Sequence, residues 1–448
     1  MAADLPRTAA LEVLRAVRSS DAYTNLALPA ALRRHGLSGR DAAFATELAS
    51  GTIRRQGLYD AVLAACIDRP LAKVQARVLD ALRLGTHQLL AMRVPPHAAI
   101  ATTVSLVRSD VGPGAAGFAN AVLRRVTEHD LDAWVELVAP DPADDRHGYL
   151  SVAHAHPRWV VDELARALGE RAAPELEALL AADNEAPGVT LVARPGRSTR
   201  DELPGEQTRW SPYGVHLESG DPGSVPAVAD GRAGVQDEGS QLVALALSAA
   251  SVDGRDERWL DLCAGPGGKA ALLAAIASGR GAGLVANERQ VHRARLVAGA
   301  LRGSSGVLGL VVADGTRPPY PAGSFDRVLV DAPCTGLGAL RRRPEARWRR
   351  QPGDLRTLVP LQRALLSSAL DLVRAGGVVL YATCSPVLAE TAEVVSSVLG
   401  ERHDVTLEDA AALLPGVPDC DGPLPGTFQL WPHRHRTDAM FGALLRRQ

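Results

Sequence analysis

Two cysteines stand where a short apolar run gives way to a polar loop. Cys334 lies in Asp331-Ala-Pro-Cys-Thr-Gly336, after the run Arg327 to Val330, and Cys384 lies in Thr383-Cys-Ser385, after Val378 to Tyr381. Neighbouring strands run about 4.8 Å apart, so if these two runs are adjacent strands, both thiols can converge on one small molecule. One chemistry that needs a thiolate is methylation of cytosine at carbon 5. That carbon is too poor a nucleophile to attack a methyl sulfonium, but a thiolate adding to carbon 6 turns the ring into an enamine that is nucleophilic there. Carbon 5 must then lose its proton and the thiol must leave. An acid such as Asp331 can protonate or hydrogen-bond ring nitrogen 3 as the thiolate adds, stabilising the developing charge.

A second cluster would position a nucleoside. Asp261-Leu-Cys-Ala-Gly-Pro-Gly-Gly-Lys269 precedes an Ala/Leu-rich stretch, and Gly265, Gly267 and Gly268 permit a tight strand-to-helix turn against which a ligand can lie. The next apolar run ends at Glu288, where an acid can bind ribose hydroxyls, and Val311-Val-Ala-Asp314 places Asp314 near where an adenine edge would lie. NAD and S-adenosylmethionine both carry such a ribose, so Glu288 alone does not choose between them.

The elements that must hold these residues follow from periodicity. The runs Trp259 to Leu262, Gly283 to Ala286, Leu308 to Val312, Arg327 to Val330 and Val378 to Tyr381 alternate with helical stretches, which predicts a parallel, doubly wound α/β sheet with ligands beyond the strand carboxyl ends. Upstream, from Thr8 to Val126, apolar residues recur at helical spacing, with breakers at Gly36 to Gly39, Pro70, Pro95-Pro96 and Gly112-Pro113-Gly114. An all-helical bundle is expected there. Pro140-Asp-Pro-Ala-Asp-Asp145 cannot continue a helix and reads as a linker. A helix from Pro157 to Leu180 and short runs such as Val189 to Val192 predict a small α/β subdomain. The expected division is 1–138, 139–232 and 233–448.

The composition agrees with a large globular chain: 448 residues, 46% hydrophobic and 22% charged, with 49 Lys+Arg against 51 Asp+Glu. These values exclude a disordered, collagen-like or disulfide-scaffold chain. No apolar run approaches the ~18 residues of a membrane helix, and a cytoplasmic location without membrane partners is expected. The five cysteines are scattered, without CxxC spacing, so neither a disulfide framework nor a metal site is expected; Cys66, Cys263 and Cys420 read as structural, with Cys263 lining the glycine turn. Residues 1–126 carry 16 Lys+Arg against 9 Asp+Glu. Such a surplus could meet nucleic acid, although it also suits an ordinary solvated surface. Lysine occurs only at Lys73 and Lys269, which singles out the one in the glycine turn.

Taken together, Asp261-Leu-Cys-Ala-Gly-Pro-Gly-Gly-Lys269, Asp331-Ala-Pro-Cys334 and Thr383-Cys384-Ser385 resemble motifs I, IV and VI of the RNA cytosine-C5 methyltransferases. Leu82-Arg-Leu-Gly-Thr-His-Gln-Leu-Leu90, Arg93-Val-Pro-Pro-His-Ala98 and Gly117-Phe-Ala-Asn-Ala-Val-Leu-Arg-Arg125 resemble a NusB-type helical domain, and Gln236-Asp-Glu-Gly-Ser-Gln241 resembles the segment before motif I. Over nearly its whole length the chain is similar to the Sun/Fmu (RsmB) family of bacterial 16S rRNA methyltransferases. The resemblance implies a NusB-like all-α domain joined to a Rossmann-like methyltransferase domain. It implies Cys384 as nucleophile, Cys334 assisting product release and Asp331 contacting the cytosine. It assigns S-adenosylmethionine to Cys263, Ala264, Gly265, Pro266, Gly267, Gly268, Lys269, Glu288, Arg293, Asp314 and Asp331. Two departures stand out: Glu288 replaces the family's usual Asp, and Asp438-Ala-Met-Phe441 replaces Asp-Gly-Phe-Phe.

Residues 341–350 hold six arginines around Trp348. Arginine binds phosphate bidentately and an indole can stack on a base, so Arg341, Arg342, Arg343, Arg347 and Trp348 are expected to contact RNA, although an arginine-rich surface would look similar. The expected partner is RNA, 16S rRNA by resemblance, naked or in an early assembly intermediate; DNA is not expected, and a monomer is the default. A cytosine must leave any stack to reach both thiols, which favours an accessible single-stranded target. Two other readings are a non-catalytic NusB-like RNA-binding regulator with a retired methyltransferase domain, and an NAD-dependent oxidoreductase.

Overall fold

The computed structural model describes residues 4–448. They form two compact units, one of residues 4–165, Ala173–Ala186 and Leu340–Arg349, the other of Arg166–Ala172, Pro187–Ala339 and Arg350–Gln448.

The first unit is helical, and helices begin or end at each of the expected breakers, with further breaks after Ser19 and at Arg55. Helices α1 (Leu5–Ser19), α2 (Thr24–Arg34), α3 (Gly39–Arg54), α4 (Gln56–Cys66), α5 (Ala76–Leu90), α6 (Pro96–Asp110) and α7 (Pro113–Val126) bury one face each, and Pro96 and Pro113 each occupy a first helical turn. Asp4 caps α1 by accepting from the Arg7 backbone N–H at 3.2 Å. Ala10, Val13 and Leu14 of α1, Leu48 and Ile53 of α3, Leu82 and Leu84 of α5 and Val122 and Leu123 of α7 form the core.

The compact helical unit continues past residue 138. Helix α8 (Leu131–Val138) does end before Pro140, but α9 (Arg146–Ala153) follows, and Ala155, Tyr149 and Val152 pack into the same core. The helix expected over 157–180 is two, α10 (Arg158–Leu168) and α11 (Ala172–Ala182), because Gly169 adopts φ +58°, in the left-handed region where a helix cannot continue.

The helical unit also takes in residues from far along the chain. In segment 340–349 the Trp348 indole donates to the Ile53 carbonyl at 2.6 Å, and Thr24 Oγ1 donates to Glu345 at 2.7 Å. Arg347 is 0% exposed; its guanidinium donates to the carbonyls of Ala155 and Asp183, both at 3.1 Å, and to Asn184 Oδ1 at 2.7 Å. A planar five-donor fork suits several main-chain acceptors at once, which a lysine could not satisfy.

The second unit opens with a small antiparallel sheet of β1 (Val189–Ala193), β2 (Glu206–Gln207), β3 (Gly214–Leu217) and β4 (Ala233–Val235), in the order β2-β3-β1-β4. The main sheet contains β5 (Arg258–Asp261), β6 (Gly283–Asn287), β7 (Val307–Val311), β8 (Phe325–Asp331), β9 (Val373–Thr383), β10 (Val405–Glu408), β11 (Phe428–Gln429) and β12 (Phe441–Arg447). Its order is β10-β12-β9-β8-β5-β6-β7, with β11 also paired to β12. Strands β7, β6, β5, β8 and β9 run parallel, and β12 is antiparallel to β9. The apolar runs of β6, β8 and β9 are continuous and buried, in the manner of parallel strands covered on both faces, whereas edge strand β7 is partly exposed. The five strands expected from the sequence are present; the antiparallel β10 and β12 extend the sheet beyond them. Strand order reverses between β5 and β8, the switch point at which such sheets bind ligands.

Replacing Arg347 by Ala leaves the carbonyls of Ala155 and Asp183 without their buried donor. We expect a loss of about 3 kcal/mol, read as a lower urea midpoint for the helical unit, with Arg347→Lys recovering only part. An unchanged midpoint would show that the buried guanidinium is dispensable.

Candidate active site

The turn after β5 is shaped by what its glycines exclude. Gly267 has φ +113°, and a Cβ there would lie 2.6 Å from the Ala300 side chain, so no other residue fits without displacing helix α15 (Val291–Ala300). A Cβ at Gly265 would collide with the Glu288 carboxylate, which therefore lies directly against the turn. The Gly265-Pro266 peptide is cis. Ala264 N–H donates to the Asn287 carbonyl at 2.9 Å and Arg293 donates to the Gly265 carbonyl at 2.6 Å, fixing the turn to β6 and α15. Helix α14 (Gly268–Gly279) starts immediately afterwards.

Carboxylates surround this turn. Glu288 is buried, accepts from Gln290 N–H at 2.8 Å and stands 3.6 Å from Arg293 Nε. Asp314 accepts from both the N–H and the hydroxyl of Thr316, which lower its pKa. Asp261, the last residue of β5, accepts from Cys263 N–H at 3.3 Å, while its Oδ2 is buried with no hydrogen-bond partner among the described residues. Burial, with the Asp331 charge adding to it, pushes the Asp261 carboxyl up to about 7. A bare glycine turn, a helix N-terminus, an orphaned carboxylate oxygen and two further acids suit a ligand carrying a carboxylate, a cationic end and ribose hydroxyls. S-adenosylmethionine has all three.

The thiols stand beyond the next two strands. Strands β8 and β9 are adjacent and parallel, with Asp331 opposite Ala382, so the loops after them leave the same edge of the sheet. Cys334 Sγ and Cys384 Sγ are 3.4 Å apart. That hydrogen bond, together with burial, holds the Cys334 thiol well above its usual pKa range. Lys269 Nζ donates to Asp331 Oδ2 at 2.8 Å. Burial alone would lower the Lys269 pKa, but the charge and hydrogen bond of Asp331 outweigh it and raise it, and Cys384 adds in the same direction. An ammonium thus lies within electrostatic reach of the Cys384 sulfur.

Sequence reasoning missed the layer beneath the thiols. Glu390, fully buried, accepts from Thr335 N–H at 2.8 Å and Gln362 Nε2 at 3.0 Å on one oxygen, and from the hydroxyls of Thr335 at 2.5 Å and Ser385 at 2.6 Å on the other. No local pattern marks Glu390, which sits in a short 3-10 turn (Leu388–Glu390) before helix α18 (Ala392–Glu401), or Gln362 within helix α17 (Leu355–Leu372). Asp261 was visible only as the start of the glycine motif.

The residues of the arginine-rich segment divide between buried and partly exposed positions. Arg341 and Arg347 are buried, the Arg341 carbonyl accepting from Arg54 at 3.3 Å; the Arg347 guanidinium bonds main-chain carbonyls, and Trp348 lies against the backbone at Gly57 and bonds to Ile53. Local sequence cannot show that main-chain carbonyls already use the Arg347 guanidinium. Arg342 and Arg343 stay partly exposed, with the Arg343 guanidinium 5.4 Å from the Tyr23 ring centroid. The changed segment near the end of the chain packs well: Met440 and Phe441 are buried, and Phe441 stands opposite Thr383 in the sheet.

A doubly wound sheet with strand β12 antiparallel to β9, a glycine turn at the switch point and acids after the next two strands are the features of an S-adenosylmethionine-dependent methyltransferase. Comparison with known proteins narrows the class. Residues 251–446 match the model of the 16S rRNA methyltransferase RsmB/F family, and residues 4–128 match the NusB family. The chain is 54% identical to "Putative methyltransferase Rv1407" of Mycobacterium tuberculosis, over 99% of this chain and 97% of that one. It is 34% identical to the ribosomal RNA small subunit methyltransferase B of Pseudomonas syringae, over 91% and 89% of the two chains. The solved structure of the protein PH0851 shares the fold, with a TM-score of 0.80 at 23% identity over 99% of each chain. The chain belongs to the RsmB/Sun family of S-adenosylmethionine-dependent RNA methyltransferases, with an amino-terminal NusB domain.

The raised Asp261 carboxyl has a consequence for stability. Between about pH 4, the ordinary carboxyl range, and about pH 7, the folded state binds a proton that the unfolded chain has released, so this group's contribution to stability falls as pH rises through that window. The urea midpoint of the wild type relative to Asp261→Asn should therefore drop from pH 5 to pH 7 and level off above; a difference independent of pH would assign the titration elsewhere.

Proposed function

We propose that this protein makes 5-methylcytosine in RNA, most specifically in small-subunit ribosomal RNA. The observation that carries the chemistry is the 3.4 Å approach of Cys334 and Cys384 beside the Lys269–Asp331 ion pair. When bound at the Gly265 turn, held by residues 263–269 with Glu288, Arg293 and Asp314, S-adenosylmethionine supplies an electrophilic methyl group for carbon 5.

The chain's own residues do the rest. The Cys384 thiolate, within electrostatic reach of Lys269, forms a bond to cytosine carbon 6, and the electron pair of the 5,6 double bond moves to make carbon 5 nucleophilic. Asp331, bonded to Lys269, orients ring nitrogen 3 and stabilises its changing protonation as the thiolate adds. Once carbon 5 carries the methyl group, its proton passes to a solvent base, the C–H electron pair re-forms the 5,6 double bond, and the carbon 6–sulfur bond breaks with its electron pair returning to Cys384 as thiolate. Cys334, held protonated by burial and its neighbour, assists that release.

The RNA target rests on other grounds. The Pseudomonas syringae relative is named for the small ribosomal subunit RNA, residues 4–128 match NusB, and residues 1–126 hold a surplus of seven positive charges. The partly exposed Arg342 and Arg343 can add phosphate contacts. Access by both thiols to one base favours an unpaired cytosine in free RNA or an early assembly intermediate.

The test incubates wild type, Cys334→Ala and Cys384→Ala with S-adenosylmethionine and deproteinised 16S rRNA, then maps 5-methylcytosine and resolves protein–RNA adducts on a denaturing gel. Cys384→Ala should lose activity by about 10⁴-fold or more and form no adduct, while Cys334→Ala should remain covalently attached to RNA. An adduct formed by Cys384→Ala would reverse the roles, and absence of 5-methylcytosine with this RNA and with small-subunit particles would overturn the reading.

A further inference from the structure

The two loops that bear the thiols meet at one buried carboxylate. Thr335 directly follows Cys334 and Ser385 directly follows Cys384, and the hydroxyls of both donate to the same oxygen of Glu390, at 2.5 and 2.6 Å. Its other oxygen accepts from Thr335 N–H and from Gln362 Nε2, and that same amide nitrogen donates to the Pro333 carbonyl at 2.8 Å, on the other side of Cys334. Thr335, Gln362, Ser385 and Glu390 are each no more than 1% exposed. The Tyr381 hydroxyl donates to the Glu390 backbone carbonyl at 2.7 Å, anchoring the acid to the floor of β9.

Four donors converge on one buried carboxylate. Only a carboxylate, with two oxygens and about four lone-pair sites, can accept all of them. A buried charge so fully bonded is costly to disturb, because removing it strands several donors at once. The main-chain bonds between the loops, Ala332 N–H to Ala382 and Gly338 N–H to Cys384, both 2.9 Å, fix the backbone approach on either side. They do not set the local path of the residue after each cysteine, which Glu390 does.

We infer that Glu390 is a positioning residue that clamps the Cys334 and Cys384 loops together and sets the spacing of the two thiols. It touches no reacting atom. The catalytic half of this inference rests on the function proposed above; the geometric half does not. Misplacing a reacting group by about 1 Å can cost on the order of 10²-fold in rate.

The experiment separates the two halves. Dibromobimane becomes strongly fluorescent when two nearby thiolates each displace one bromide, so its rate of fluorescence gain reads the Cys334–Cys384 spacing without RNA, with Cys334→Ala giving the background. Glu390→Ala should bridge at least tenfold more slowly than wild type while binding S-adenosylmethionine with unchanged affinity. Its kcat on RNA should fall by about 10²-fold with KM within twofold. Glu390→Gln should recover most of both, since its carbonyl oxygen can accept from Thr335 N–H and Gln362 while its amide donates to the two hydroxyls. If Glu390→Ala loses cofactor binding through misfolding, the double variant Thr335→Val/Ser385→Ala, which removes only the shared hydroxyl ties, is measured in its place. A folded variant that bridges at the wild-type rate overturns the clamp. Slowed bridging in a protein whose wild type transfers no methyl group to RNA supports the clamp and overturns the function instead.

Discussion

The parallel pairing of β8 with β9 is the constraint on which the chemistry depends. Because Asp331 stands opposite Ala382, each chain leaves the sheet at the same level, and a few residues of loop suffice to bring Cys334 and Cys384 to 3.4 Å. Parallel strands need a crossover between them, here the long helix α17 and the stretch before it, so residues 50 apart in sequence become neighbours. The same arrangement places Asp331 at the end of β8 next to the switch point with β5, within reach of Lys269. Cofactor turn and thiol pair therefore share an ion pair because their strands are adjacent.

Electrostatics follows from that convergence. Asp261 and Asp331 lie around the buried Lys269, and Glu288 beside Arg293, so that Asp261 is the acid left without a cation of its own. The region compensates partly by the Lys269–Asp331 bond and partly by holding Asp261 near neutrality. A ligand with cationic character would relieve the remainder, which matches the sulfonium and ammonium of S-adenosylmethionine. Beneath the thiols the solution differs: Glu390 is surrounded by donors, so its charge is bonded and serves geometry.

Segment 340–349 shows how chain order and compact units diverge. It follows the Cys334 loop in sequence, yet its side chains complete the helical unit, where Arg347 satisfies carbonyls and the Trp348 indole covers Gly57. Composition made this stretch resemble an RNA-binding surface. In a chain with only two lysines, arginine also does structural work that density of positive charge does not reveal.

By itself the sequence determined the helical bundle and its breaks, the five parallel strands, the glycine turn and the pairing of two thiols with an acid. Each is written locally, in periodicity, in proline and glycine positions and in motif spacing, and local physics is what a sequence displays. Tertiary structure decided the rest: that β8 and β9 are neighbours, that Arg341, Arg347 and Trp348 are packed away, that the helical unit extends past residue 138, and that Glu390 and Gln362 lie beneath the cysteines. These depend on which donors and acceptors meet across long sequence separations, where a buried charge is stable only if its partners arrive from other elements. No window of sequence around Glu390 contains Thr335 or Gln362, so their hydrogen bonds exist only once the sheet has formed.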